Sequence, residues 1–237
     1  MKFAILAVAL LIPSAAWAIG YADWTEVPLV WPDPPPPDPQ VWYDYIAEGH
    51  RHFDLLTVTD ADDRWNAGTS HAYFEGEASG AYSFWDHPLG GQLPNTVLFP
   101  YVPLLVYDSF WTSPEEFPNP DLIPSRNDTW FVPGGPTQDS ATDKAAEWYV
   151  DPTSPNVFGG TSVLARYNVK GLCPDGYSGT ETTFGPAAEL IIDGGFWYAG
   201  GGDGGEWFEL RIPLCWYVPE PSTLALLAIG ALLIRRR

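Results

Sequence analysis

His50, Arg51, His52, Phe53 and Asp54 are consecutive. On an extended strand, side chains two apart share a face, so His50, His52 and Asp54 would present two imidazoles and a carboxylate together, a donor set able to hold zinc. Only His71 and His87 remain to complete such a site. Asp60, Asp62 and Asp63 supply hard oxygen donors in a turn that leaves an apolar run, which suits calcium. This is not an EF-hand, because Trp65 stands where that loop requires glycine and His71 where it requires a bidentate glutamate. Asp193, Asp203, Glu206 and Glu209 form a second acidic group around a glycine-rich turn, although turn formation alone accounts for those residue types. The pairs Glu75/Glu77 and Glu206/Glu209 carry the groups needed for acid–base cleavage of glycosides, a chemistry decided by their separation in space. The glycine run at 200–205 is no phosphate cradle, since no Lys-Ser/Thr follows it and it contains Asp203.

Trp, Tyr and Phe number twelve each. Most should be core, and one or two exposed indoles would make stacking platforms for sugar rings. The chain has 30 acidic and 11 basic side chains, a formal net charge of −19. Four of the basic residues, Lys2 and Arg235 to Arg237, lie in the terminal segments, so the part between is more acidic still. Such a surface repels phosphate backbones and anionic lipid, which excludes nucleic acid as a partner and basic-patch docking to membranes.

The elements that must position these groups are short. Between residues 53 and 212 the chain shows β-type runs at 53–59, 72–76, 81–85, 96–99, 104–110, 129–132, 147–150, 162–169, 188–192, 196–199 and 207–212, separated by Gly, Pro, Asn and Asp. Residues 141–146 read as one helical turn. Many short strands and a high aromatic content predict a mainly β fold, a two-sheet antiparallel sandwich, jelly-roll-like. Ahead of it, Pro34 to Pro37 fix an extended backbone without amide donors, so residues 19–45 read as a stiff Pro-rich spacer and 46–217 as the extracytoplasmic domain. Cys173 and Cys215 are the only cysteines, and in an oxidising compartment they are expected to pair.

Both ends read as targeting segments. Lys2, an apolar run from Phe3 to Ile12 and Ala16-Trp17-Ala18 make residues 1–18 a secretory signal peptide, cut after Ala18 by signal peptidase. Residues 218–237 read VPEPSTLALLAIGALLIRRR: a Pro-Glu-Pro motif at Pro219, Glu220 and Pro221, an apolar helix from Leu224 to Ile234, and three arginines. This order resembles the PEP-CTERM sorting signal of exported bacterial proteins. The resemblance implies that an exosortase recognises the motif, cuts near it and passes the protein to the cell surface or matrix of exopolysaccharide-producing bacteria. Until then the short C-terminal transmembrane helix holds the chain at the membrane, with the arginines on the cytoplasmic side. The resemblance assigns no activity to the ectodomain.

The sequence therefore reads as an exported, exosortase-processed surface or extracellular-matrix protein with a non-enzymatic structural or adhesive role. Exopolysaccharide is an expected partner, and no cofactor is required, with calcium a candidate at Asp60, Asp62 and Asp63. A calcium-assisted glycan-binding module is the second reading and a secreted metal-dependent hydrolase the third.

Overall fold

Period-two alternation along Asp143–Tyr149 and Gly205–Tyr217 commits these segments to strands with one face in a core, whereas Arg51–Thr59 is buried on both faces from His52 to Leu55. A computed structural model describes residues 21–32, 35–36, 38–59, 65–90, 97–111, 138–149, 160–198 and 205–218. The chain is mainly β, in two antiparallel sheets. The first sheet runs β1 (Tyr21–Val27), β2 (Arg51–Thr59), β8 (Gly160–Lys170), β4 (Ser83–Phe84), with β5 (Phe110–Trp111) also paired to β8. The second runs β6 (Gln138–Asp139), β7 (Asp143–Tyr149), β3 (Trp65–Glu75), β10 (Pro186–Tyr198), β11 (Gly205–Tyr217), β9 (Tyr177–Ser178).

The sheets close over one shared core. Phe53, Leu55, Leu164 and Tyr167 enter it from the first sheet, and Ala72, Leu190, Ile192 and Phe196 from the second. Each large apolar side chain buried there contributes on the order of 1.5–3 kcal/mol. The Cys173–Cys215 disulfide forms, with Cα atoms 5.6 Å apart, and ties the segment after β8 to β11.

Several elements depart from the sequence reading. Within the stretch read as spacer, β1 pairs with β2 along its length, from Tyr21 opposite Val58 to Val27 opposite His52. A helix, α1 (Pro39–Ala47), follows the prolines, started by Pro39 in its first turn and by Asp38, whose carboxylate accepts the Gln40 amide. Both positions suit their residues, because an edge strand needs few donors and proline presets the first helical turn. The strand expected at 104–110 is largely a 3-10 helix, Pro103–Tyr107. Its buried Leu104 and Tyr107 are three apart, hence on one face, and pack with Trp42 and Tyr45 of α1. A short apolar run cannot be assigned by periodicity alone.

Residues 141–146 are not a helical turn. Lys144 and Ala146 point inward and Asp143, Ala145 and Glu147 outward, so 143–146 pair with β3 as part of β7, and 141–142 belong to the turn before it. The two strands expected at 188–192 and 196–199 are one, because Gly194 and Gly195 stay in register with both neighbours instead of turning. Residues 97–100 form a turn rather than a strand. The expected strand at 129–132, the signal peptide, and the sorting motif with its apolar helix lie outside the described residues. Among the described residues no helix is long and apolar enough to cross a membrane.

Candidate functional site

On the second sheet, Phe208, Leu210, Ile212 and Leu214 of β11 turn into the core, which sends Trp207, Glu209 and Arg211 to the outer face. Register then fixes their neighbours. Trp207 lies opposite Gly195 and, one strand further, Thr69. Glu209 lies opposite Asp193 and His71, and Arg211 opposite Ile191 and Tyr73.

The indole of Trp207 rests directly on the Gly195 backbone: a Cβ at Gly195 would come within 3.3 Å of its Cδ2 and Cε3. A side chain at 195 would push the ring off the strand by a few tenths of an ångström. Trp207 nevertheless keeps 75% of its surface exposed. Trp197 meets it edge-on, with ring centroids 5.7 Å apart. The result is an aromatic shelf flanked by polar groups. His71 Nε2 is 3.0 Å from Asp143 and its Nδ1 3.5 Å from Asp193, while the ring stacks on Tyr73 at 4.8 Å. Arg211 reaches Glu209 at 2.6 Å, Glu75 at 2.9 Å and Glu189 at 3.3 Å, and these carboxylates hold its guanidinium firmly charged. An exposed indole bordered by oriented donors and acceptors is a surface on which a sugar ring can stack and its hydroxyls can hydrogen-bond.

The histidines expected at a metal are used structurally. His52 Nδ1–H donates to the Val27 carbonyl at 3.2 Å, which leaves Nε2 to accept from the Tyr45 hydroxyl at 2.7 Å. The Asn168 amide donates to Tyr45 and, at 2.6 Å, to the Tyr107 carbonyl, and its oxygen faces His50 Nδ1 at 2.8 Å. Burial pushes His52 down to about 4, lowers His50 and raises Tyr45. Asp54 does not turn toward the histidines; both its oxygens accept from Arg166, at 2.6 and 2.7 Å. Among the described residues no three His, Cys, Asp or Glu side chains converge as a metal site.

Glu206 and Glu209 are three apart on one strand, so they face opposite sides of the sheet and cannot work as a pair across one bond. Glu75 is engaged by Arg211. Asp193 and Glu209 do share the outer face, whereas Asp203, the acidic turn Asp60, Asp62 and Asp63, and Pro219, Glu220 and Pro221 lie outside the described residues.

The sequence reading missed one cluster. Lys144 is buried between the sheets, its Nζ 2.9 Å from both oxygens of Asp86 and 2.5 Å from Asp139. A cavity of about 160 Å³ opens beside it, lined by Asp86, His87, Gly90, Ser109, Trp111 and Asp139. Asp108, just behind, accepts the amides of His87 and Ser109, yet burial pushes its carboxyl up to about 7. The signal for Lys144 was its place in an alternating DKAAEWY run, in phase with Ala146 rather than with the acids. Trp207, among the tryptophans from which an exposed stacking platform was expected, is in phase with Glu209 and Arg211.

Residues 218–237 match the PEP-CTERM protein-sorting motif. No curated protein matches the chain.

Proposed function

We infer that this chain, exported and targeted to exosortase by its PEP-CTERM motif at 218–237, is a surface or extracellular-matrix protein with a structural and adhesive role, which holds neutral polysaccharide on the outer face of its six-stranded sheet. The observation that carries the reading is Trp207, set against Gly195 with 75% of its surface open to solvent. A large exposed aromatic of this kind is a feature of recognition surfaces. The surrounding Asp143, Asp193 and Glu209 make the face acidic, which disfavours polyanions and leaves uncharged polymers as the matching class. In this account signal peptidase and exosortase act only during maturation, and the C-terminal helix is a temporary anchor.

The test is a melting series of the secreted domain against neutral and acidic polysaccharides. A ligand that binds only the folded state adds ~2.7 kcal/mol at a hundred times its dissociation constant, enough to register clearly. Stabilisation by neutral polymers supports the reading, and a melting temperature unmoved by any of them rejects it.

A further inference from the structure

We propose that Lys144 and Asp86 are joined by an intramolecular isopeptide bond, with Asp139 as the proton carrier, so that the two sheets are covalently linked. Lys144 is carried by β7 of the second sheet, and Asp86 by the segment that leaves β4 of the first. The Lys144 side chain is 2% exposed, held against Phe84 and Trp111 with Nζ 5.8 and 5.6 Å from their ring centroids. A lysine so enclosed cannot swing away from its partners.

Nζ is equidistant from the two Asp86 oxygens at 2.9 Å. Given carboxylate bond lengths, that places it about 3 Å from the Asp86 carbon, the separation from which attack can begin. Asp139 approaches differently, through a single oxygen at 2.5 Å, the geometry of a group that takes a proton. Asp139 is also the direct cross-strand partner of Lys144, so its position is set by the β6–β7 register. The hydrogen bond from the Phe84 amide to the Ala141 carbonyl, 2.6 Å, clamps β4 to the turn that joins β6 and β7. Lys144 and Asp139 are thereby held by backbone pairing, and Asp86 follows directly on the segment clamped at Phe84.

The step balances without any co-reactant. Asp139 takes one proton from the Lys144 ammonium, and the freed nitrogen lone pair attacks Asp86 Cγ. A C–N bond forms and a C–O bond breaks. The departing oxygen leaves as water, carrying the proton returned by Asp139 and a second one from the nitrogen. One ammonium and one carboxylate become a neutral amide, and Asp139 ends as it began. In free solution such a condensation is unfavourable, but effective molarities of ~10⁵ M or more in fixed geometries reverse that balance. Asp86 is 51% exposed and adjoins the cavity, which gives the water an exit.

The experiment is a peptide map of the full chain secreted by an exporting bacterium, reduced before digestion at Lys and Arg. An amide at Lys144 blocks cleavage there and joins the peptide 65–126, which contains Asp86, to 127–166, which contains Lys144 and Asp139. The proposal expects that joined species, lighter than its two parts by one water, and its loss in Lys144→Arg, where the cation remains without the nucleophile. Separate peptides cut at Lys144 would overturn it. So would a water loss confined to 127–166, which would place the link at Asp139.

Discussion

Arg166 and Asp54 are direct partners across β8 and β2, and two parallel hydrogen bonds of 2.6 and 2.7 Å join them in the buried layer of the first sheet. A third bond from the same guanidinium, 2.6 Å to the Val106 carbonyl, fixes the 3-10 helix against that sheet. Removing one member of such a pair leaves the other charge buried. Asp54→Ala is expected to lower stability by about 3–5 kcal/mol in urea unfolding. A loss below about 1 kcal/mol, the scale of an exposed pair, would contradict this placement.

Asp108 gives a pH-dependent prediction whose sign can be worked out. Its carboxyl ordinarily titrates at 3.8 and is pushed up to about 7 by burial. Between those values the unfolded chain has lost the proton that the folded chain keeps, so this group makes stability fall as pH rises. His52, lowered from 6.5 to about 4, acts in the opposite sense, since acid protonates the unfolded chain first. Asp108→Asn keeps an oxygen for the His87 and Ser109 amides and removes the titration. The variant should match the wild type in acid and exceed it increasingly toward neutral pH, by up to roughly 4 kcal/mol. Parallel urea-midpoint curves for the two proteins would reject the assignment.

The disulfide closes a separation of 42 residues. Loop-closure entropy alone gives about 4 kcal/mol for such a cross-link. Reduction, or a paired Cys173→Ala and Cys215→Ala change, should therefore lower the unfolding free energy by about 2–4 kcal/mol. An unchanged midpoint under reducing conditions would show that the bridge contributes nothing.

How far these features were legible follows from range. Alternation in Gly205–Tyr217 made that strand readable, because a strand buried on one face must alternate, whereas Arg51–Thr59 and Gly160–Lys170, buried on both faces, were readable as short apolar runs between turn residues. The Cys173–Cys215 pairing was readable because two cysteines allow one partnership. What the sequence hid was long-range: Asp86 and Lys144 are 58 residues apart and Arg166 and Asp54 are 112 apart, and only the pairing of sheets brings them together. His50, His52 and Asp54 misled for the same reason. Their spacing fitted a metal, but Tyr45, Asn168 and Arg166, supplied by α1 and β8, satisfy them first. Gly194 and Gly195 read as a turn because a glycine pair usually is one; here the second makes room for the Trp207 indole.

The most direct test of the adhesive account is calorimetric titration of a neutral polysaccharide that stabilises the domain, into the wild type, Trp207→Phe and Trp207→Ala. Trp207 is exposed and outside the core, so neither change should move the melting temperature by much. The account predicts at least tenfold weaker binding for Trp207→Ala, about 1.4 kcal/mol, and an intermediate loss for Trp207→Phe, which keeps a smaller ring over Gly195. Equal affinity in all three proteins would contradict it.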